Sequence, residues 1–230
     1  MILARYGDAA AAGAALAAEV AGALHEGLLE RGAGALAVPG GRTPVPLFAS
    51  LREQALDWSR VHVTLTDERW VPEASPASNA ALVRAELLRS HAATARFHPL
   101  YDGSASAGSA AARVWLALQR LPRPFDAVVL GMGEDGHFAS LFAGSPGIAQ
   151  ALDPEAVPAC VAMQAPTQPA QRLSLNLAAL RQTRRVFLFA TGEAKRELLL
   201  RAERDAVAAA VPIAALLALR HPQPEVFWAA

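Results

Sequence analysis

Short apolar runs alternate along the chain with longer stretches in which apolar residues recur at helical spacing. The short runs predict strands at residues 35–38, 61–66, 126–130, 157–163, 173–175, 185–190 and 226–228. The longer stretches predict helices at residues 8–31, 44–56, 78–90, 104–119, 193–204 and 213–220. This alternation is typical of βα units. We therefore expect an α/β fold, a three-layer α/β/α arrangement with a mostly parallel, Rossmann-like central sheet.

The chain contains no internal repeat and no linker that would divide it. The proline-rich stretches 145–158 and 164–169 are each followed by an apolar strand, so we interpret them as ordered loops. A length of 230 residues then predicts a single α/β domain over residues 1–230. In such folds ligands bind beyond the carboxyl ends of the strands, which directs attention to the loops that follow them.

Composition narrows the function classes. Hydrophobic residues make up 53% of the chain and charged residues 18%, which excludes a disordered protein. Lys+Arg and Asp+Glu both number 21 and no block of five like charges occurs, so nucleic acid is not an expected partner. The longest uncharged apolar stretch, residues 206–219, is too short for a membrane span of about 20 residues. The single cysteine, Cys160, fits a reducing compartment, and we expect a cytoplasmic protein.

The first informative loop follows the strand at residues 35–38. Two glycines, Gly40 and Gly41, precede Arg42, Thr43 and Pro44. Thr43 is placed to cap the next helix, and Pro44 to occupy its first turn. Glycines let the backbone approach an anion, and the N–H groups at a helix start point toward it. The loop is therefore a candidate phosphate site, with an ordinary βα turn as the alternative.

The second loop follows the strand at residues 61–66 and places three charged residues, Asp67, Glu68 and Arg69, at the expected ligand edge. Arg69 could bind a phosphate through paired donors, and Asp67 could accept a hydrogen bond from a sugar hydroxyl or orient a base. A solvent-exposed turn with salt bridges is the alternative. Ser78 and Asn79 begin the next helix, with Ser78 as its N-cap.

The third loop, residues 131–137, matches the pattern G-x-G-x-x-G of dinucleotide-binding proteins. However, it begins past the midpoint of the chain, and Glu134 and Asp135 would repel a pyrophosphate. No second strand ending in an acid follows promptly. The two acids and His137 suit acid–base chemistry better, although a single histidine is more often structural.

A fourth glycine turn, residues 190–195, contains Lys195, the only lysine in the sequence. A solvent-exposed lysine at a helix start is the alternative to a role in ligand binding. Arg172, at the start of another predicted strand, is a weaker candidate of the same kind.

With these loops, nearly the whole chain resembles the 6-phosphogluconolactonase family, within the wider group that includes glucosamine-6-phosphate deaminases. Residues 40–44 are similar to the Gly-Gly-Ser-Thr-Pro phosphate loop of the family, with Arg42 in place of Ser. Residues 66–72 and 78–79 are similar to its acidic-Arg and Ser-Asn motifs. Residues 131–144 are the most specific match, although Phe138 and Ala143 replace the usual Thr and Pro. Deaminases carry Asp-Glu-Tyr at 67–69 and Ala-Phe-Asn-Glu after the histidine, so the lactonase branch fits better.

The resemblance implies hydrolysis of 6-phospho-D-glucono-1,5-lactone to 6-phospho-D-gluconate in the oxidative pentose phosphate pathway. His137 would be the general base, and Asp67 would lie near the reacting end and orient the substrate or His137. The expected substrate-binding residues are Gly40, Gly41, Arg42, Thr43, Arg69, Asn79, Gly133, Asp135, Gly136, Arg172 and Lys195.

No cofactor is expected, and no metal, because the histidines lack zinc-ligand spacing. The expected partner is the small-molecule lactone, with no membrane association, in a monomer or weak homo-oligomer. Two alternatives stay open: an amino-sugar-phosphate deaminase or isomerase, and a catalytically silent sugar-phosphate-binding protein.

Overall fold

The computed structural model describes residues 1–205 and 210–230. Within these residues the strands are β1 (Ile2–Tyr6), β2 (Gly34–Val38), β3 (Val61–Leu65), β4 (Asp67–Arg69), β5 (Arg96–His98), β6 (Phe125–Gly131), β7 (Cys160–Gln164), β8 (Gln171–Leu175), β9 (Thr183–Thr191) and β10 (Glu225–Ala229). The helices are α1 (Ala9–Arg31), α2 (Val45–Leu51), α3 (Asn79–Glu86), α4 (Ala107–Leu118), α5 (Ile148–Ala151), α6 (Leu177–Leu180), α7 (Glu193–Arg204) and α8 (Ile213–Leu217). Short 3-10 helices cover Trp58–Arg60 and Ser90–Thr94.

A large parallel sheet forms the centre of the molecule. In the described part of the chain its strand order is β1-β10-β9-β6-β2-β3-β5, and every pairing is parallel. Helices flank this sheet, which confirms the predicted three-layer α/β/α fold. Because the strands are parallel, the loops after β2, β3 and β6 all leave from the same edge of the sheet.

A second, smaller sheet has the order β4-β8-β7, and its pairings are antiparallel. The strands predicted at 157–163 and 173–175 correspond to β7 and β8, and they pair in this small sheet and not in the central one. Their connection is a hairpin, closed by a 2.8 Å hydrogen bond from the Ala165 N–H to the Ala170 carbonyl. So short a connection permits only antiparallel pairing, because a parallel crossover needs about a dozen residues or more.

Helices α1 and α7 agree with the predicted ranges, and the Asp8 carboxylate caps α1 by accepting a 2.7 Å bond from the Ala11 N–H. Other helices are shorter than predicted: α2 ends at Leu51 and α3 at Glu86. Strands β1, β4 and β5 were not predicted. β4 and β5 have three residues each, too few to show a period of two.

The amino end of β6 holds a buried carboxylate far from the loop that follows this strand. Asp126 is fully buried and accepts hydrogen bonds from the Arg31 side chain and from the Ala35 N–H, the latter at 2.8 Å. Burial raises the pKa of Asp126, although Arg31 and the Ala35 N–H oppose that increase. This network joins the end of α1 to β2 and β6.

No helix in the described part of the chain is long and apolar enough to cross a membrane. The apolar stretch 206–219 begins with residues 206–209, which lie outside the described residues.

Candidate active site

A cavity of about 250 Å³ lies where the carboxyl edge of the large sheet meets the small sheet. Small-molecule sites usually have volumes of roughly 300–1,000 Å³, so this cavity suits a small ligand. Its lining residues are Pro39, Gly40, Gly41, Thr43, Asp67, Arg69, Asn79, Gly131, Met132, Gly133, His137, Ala139, Ser140, Phe142, Thr167 and Arg172.

A histidine and a carboxylate form a hydrogen-bonded pair at this cavity. His137 Nδ1 lies 2.5 Å from Asp135 Oδ1, which also accepts a 3.2 Å bond from the His137 N–H. Burial raises the pKa of Asp135, but the bonds from His137 outweigh it and hold that pKa below its ordinary value. With Nδ1 donating to the carboxylate, Nε2 is the ring nitrogen that can accept a proton. Asp67 is the residue expected to orient the substrate or His137, but the carboxylate bonded to the His137 ring belongs to Asp135.

Two phenylalanines of the loop after β6 pack near His137. Phe138 is fully buried and forms bridges with Met132 and Leu141, so it packs under the loop and does not line the cavity. The Phe142 ring lies 4.3 Å from the His137 ring, centroid to centroid. The G-x-G-x-x-G reading also fails here, because that motif opens a helix, whereas the next helix in the described residues begins at Ile148.

Two arginines stand side by side on the small sheet. Arg69 of β4 pairs across the strands with Arg172 of β8, and both line the cavity. Arg69 donates a 2.8 Å bond to the Ala77 carbonyl, whereas Arg172 is only 6% exposed and its Nε has no hydrogen-bond partner. Burial and the charge of Arg69 lower the pKa of Arg172, while Asp67 and Glu68 oppose this. Neither guanidinium forms an ion pair within the described residues, so the pair suits an anionic ligand.

Glu68, between Asp67 and Arg69, is fully buried and not part of an exposed turn. Its carboxylate accepts bonds of 2.7–2.8 Å from the N–H groups of Arg69, Asn79 and Ala80, and a 3.2 Å bond from the Ser78 hydroxyl. Burial raises the pKa of Glu68 despite these bonds. Glu68 therefore fixes the start of α3 against β4, and the alternative of a solvated turn is wrong for this residue.

Asn79 reaches the cavity because of this anchoring. Its Nδ2 donates a 2.9 Å bond to the Asp67 carbonyl. A Cβ at position 40 would lie 1.8 Å from Asn79 Oδ1. Glycine is therefore required at this position, because the Asn79 side chain approaches the Gly40 backbone closely. Thr43 also lines the cavity, but it does not cap α2, which has Pro44 at the N-cap position and no side-chain cap bond.

Four predicted site residues lie outside the cavity wall. Arg42 is exposed, and Lys195 lies half-buried in the first turn of α7. Gly136 is not in the cavity wall, and its carbonyl accepts a 2.8 Å bond from the Ile213 N–H. Asp135 is also outside the wall and contacts His137, which does line the cavity.

Sequence reasoning also missed wall residues, above all Ser140, whose Oγ donates a 2.5 Å bond to Asp67 Oδ2. The signal that could have found it is its position three residues after His137 in the most specific motif.

A polar cavity at the carboxyl edge of a parallel sheet, with an acid–base pair and two arginines that form no ion pair within the described residues, defines an α/β enzyme for small anionic ligands. A family model described as "Glucosamine-6-phosphate isomerases/6-phosphogluconolactonase" matches residues 7–228. The chain belongs to this family.

Similar proteins agree with this assignment. The chain is 50% identical over 190 residues to a 6-phosphogluconolactonase of Pseudomonas aeruginosa, covering 83% of this chain and 80% of the relative. It is 40% identical over 215 residues to a 6-phosphogluconolactonase of Rhizobium meliloti, and the match covers 94% of this chain and 93% of that relative. A 6-phosphogluconolactonase structure from Shewanella baltica matches with a TM-score of 0.94 and 38% identity, covering 100% of this chain and 98% of that one. The resemblance to the lactonase branch is confirmed.

Proposed function

We propose that this enzyme hydrolyses 6-phospho-D-glucono-1,5-lactone to 6-phospho-D-gluconate, in the oxidative pentose phosphate pathway. One observation carries the proposal: a single cavity contains a carboxylate-held imidazole and two arginines that form no ion pair within the described residues. Ester hydrolysis needs a base for water, and a phosphorylated substrate needs cations. The names of the similar proteins support the same reaction.

In the proposed mechanism, His137 acts twice. Its Nε2 accepts a proton from water while the water oxygen bonds to the lactone carbonyl carbon, giving a tetrahedral oxyanion. The oxyanion then re-forms the carbonyl as the bond to the ring oxygen breaks, and the imidazolium returns its proton to that oxygen. Such acid–base catalysis contributes about 10²- to 10⁴-fold in rate. Asp135 keeps Nδ1 protonated and stabilises the imidazolium.

The phosphate is assigned to Arg69 and Arg172, together with the backbone of Gly40 and Gly41. Fixing the remote phosphate holds the lactone ring against the base, so binding energy lowers the barrier. Lys195 lies in the first turn of α7, the helix that follows β9, and β9 is the strand next to β6. Lys195 is assigned to the outer side of the phosphate.

The test compares two substrates in a coupled assay that generates the lactone in place and is corrected for spontaneous hydrolysis. A charge-assisted hydrogen bond contributes roughly 1.5–3 kcal/mol, so Arg172→Met should lower kcat/KM for the phosphorylated lactone about 10- to 100-fold. Hydrolysis of unphosphorylated gluconolactone should change little. Arg84→Met is the matched control, because Arg84 is half-exposed and pairs with Glu73 at 2.6 Å.

Other outcomes would refute parts of this assignment. Equal losses on both substrates would show that Arg172 does not bind the phosphate. Release of ammonia from glucosamine 6-phosphate without lactone hydrolysis would favour the deaminase. Binding of 6-phosphogluconate without turnover of either substrate would favour a silent binding protein.

A further inference from the structure

Asp67 is a buried carboxylate in the cavity wall, and its two oxygens have different surroundings. Oδ2 accepts the 2.5 Å bond from the Ser140 hydroxyl, and both residues are almost fully buried. Among the residues that the structure describes, Oδ1 has only a long, 3.4 Å contact with the Thr66 hydroxyl. Buried carboxylates require several hydrogen bonds, so Oδ1 is the oxygen that can accept one from a ligand.

Ser140 is itself held in one orientation. Its N–H donates a 3.2 Å bond to Ser174 Oγ, and the Ser174 hydroxyl donates a 3.0 Å bond to the Leu175 carbonyl. The preceding residue, Ala139, has a φ of 48°, in the left-handed region that non-glycine residues rarely adopt. This turn separates the buried Phe138 from Ser140 and directs the Ser140 hydroxyl toward the small sheet. Strained backbone of this kind often occurs where a side chain must be placed accurately.

From this geometry we propose that Ser140 is a positioning residue for the reaction, acting through Asp67. The Ser140 hydroxyl holds Oδ2, and the carboxylate then presents Oδ1 to a hydroxyl of the sugar ring. The loop that carries His137 thereby sets the orientation of an acid that belongs to the other sheet. This inference rests on the proposed function.

The expected effect of Ser140→Ala follows from the rotational freedom that the Asp67 carboxylate gains when it loses the Ser140 hydroxyl. The χ2 torsion of aspartate is broad, so in Ser140→Ala the carboxylate can rotate away from the substrate. A hydrogen bond to a charged group is lost, and kcat/KM should fall about 10- to 100-fold.

A double-mutant cycle separates positioning from a structural role. Ser140→Ala is measured in the parent enzyme and again in Asp67→Ala, where there is no carboxylate to hold. Positioning through Asp67 predicts the 10- to 100-fold loss in the parent and a loss below about twofold in Asp67→Ala. A merely structural role predicts the same loss in both backgrounds.

Thr183→Ala is the matched control for removing a buried hydroxyl. Thr183 Oγ1 donates a 3.1 Å bond to the Phe125 carbonyl, at the end of β6 opposite the cavity. This variant should keep kcat/KM within about twofold of the parent. If Ser140→Ala fails to give a cooperative thermal transition, Ser140→Cys, which preserves the shape and weakens the donor, replaces it in the same cycle.

The outcomes are distinguishable. An active parent whose Ser140 variant keeps full kcat/KM, or loses the same factor in both backgrounds, overturns the positioning role and leaves the proposed function standing. A folded parent with no lactone hydrolysis overturns the proposed function and, with it, this inference.

Discussion

A methyl group added at Gly133 tests the placement of the proposed base. A Cβ there would lie 2.2 Å from both Nδ1 and Cε1 of His137 and 2.7 Å from Asp135 Oδ1. The φ of Gly133 lies outside the left-handed region, so space alone decides the effect. Favourable contacts between heavy atoms need about 3.5–4.0 Å, so in Gly133→Ala the imidazole must move by more than about 1 Å. A displacement of about 1 Å can lower the reaction rate about 100-fold, and full loss of the base lowers it about 10²- to 10⁴-fold. We therefore expect kcat of Gly133→Ala to fall by at least about 100-fold.

The coupled lactone assay measures this loss, and calorimetry measures binding of 6-phosphogluconate, which should stay close to normal because the arginines lie on the other sheet. Gly22→Ala is the matched control, since Gly22 lies on the exposed face of α1 with nothing within 4 Å of an added Cβ. It should keep full activity and gain roughly 0.5–1 kcal/mol in stability. A folded Gly133→Ala enzyme with kcat within about threefold of the parent would refute the proposal that catalysis depends on the position of the His137 imidazole.

Two further predictions concern the carboxylates. Asp135→Asn should lower kcat at least about tenfold, because the amide no longer stabilises the imidazolium. The pKa of Asp135 is lower in the folded chain, so its contribution to stability is present above pH about 4 and is lost as the pH falls through the folded-state pKa. The difference in Tm between parent and Asp135→Asn should therefore shrink from pH 5 to pH 2.5, and a constant difference would contradict this. Glu68→Ala leaves three backbone N–H groups without their carboxylate acceptor, so the free energy of unfolding in urea should fall by roughly 3–5 kcal/mol. The surface control Glu73→Ala should lower it by less than about 1 kcal/mol.

Local pattern predicted the fold class and the long elements, but not how all strands pair. Helices α1 and α7 were found because their periodicity and end signals extend over several turns. The β7–β8 hairpin and its separate sheet were not predicted, because an apolar run shows that a strand exists and not which neighbour it joins. The short, charged β4 shows no strand pattern and forms by pairing with β8.

The candidate site was predicted less completely for a related reason. The loops at strand ends come together in the structure, and His137, Asp67 and Arg69 line one cavity. Which side chains point inward depends on pairing and burial, which the sequence does not display. Glu68 is therefore buried beside the inward-facing Arg69, and Ser140 reaches Asp67 only because the chain turns at Ala139.

The buried Asp126 network lies at the end of β6 opposite the glycine-rich loop, and this one strand connects the two. Natural or engineered variation at the two ends should consequently be visible in different measurements. Changes around Asp126 would alter how much folded enzyme a cell accumulates, while each folded molecule would keep its substrate preference. A survey of variants by expression level alone would therefore identify the Asp126 end as critical and overlook the residues that perform the chemistry.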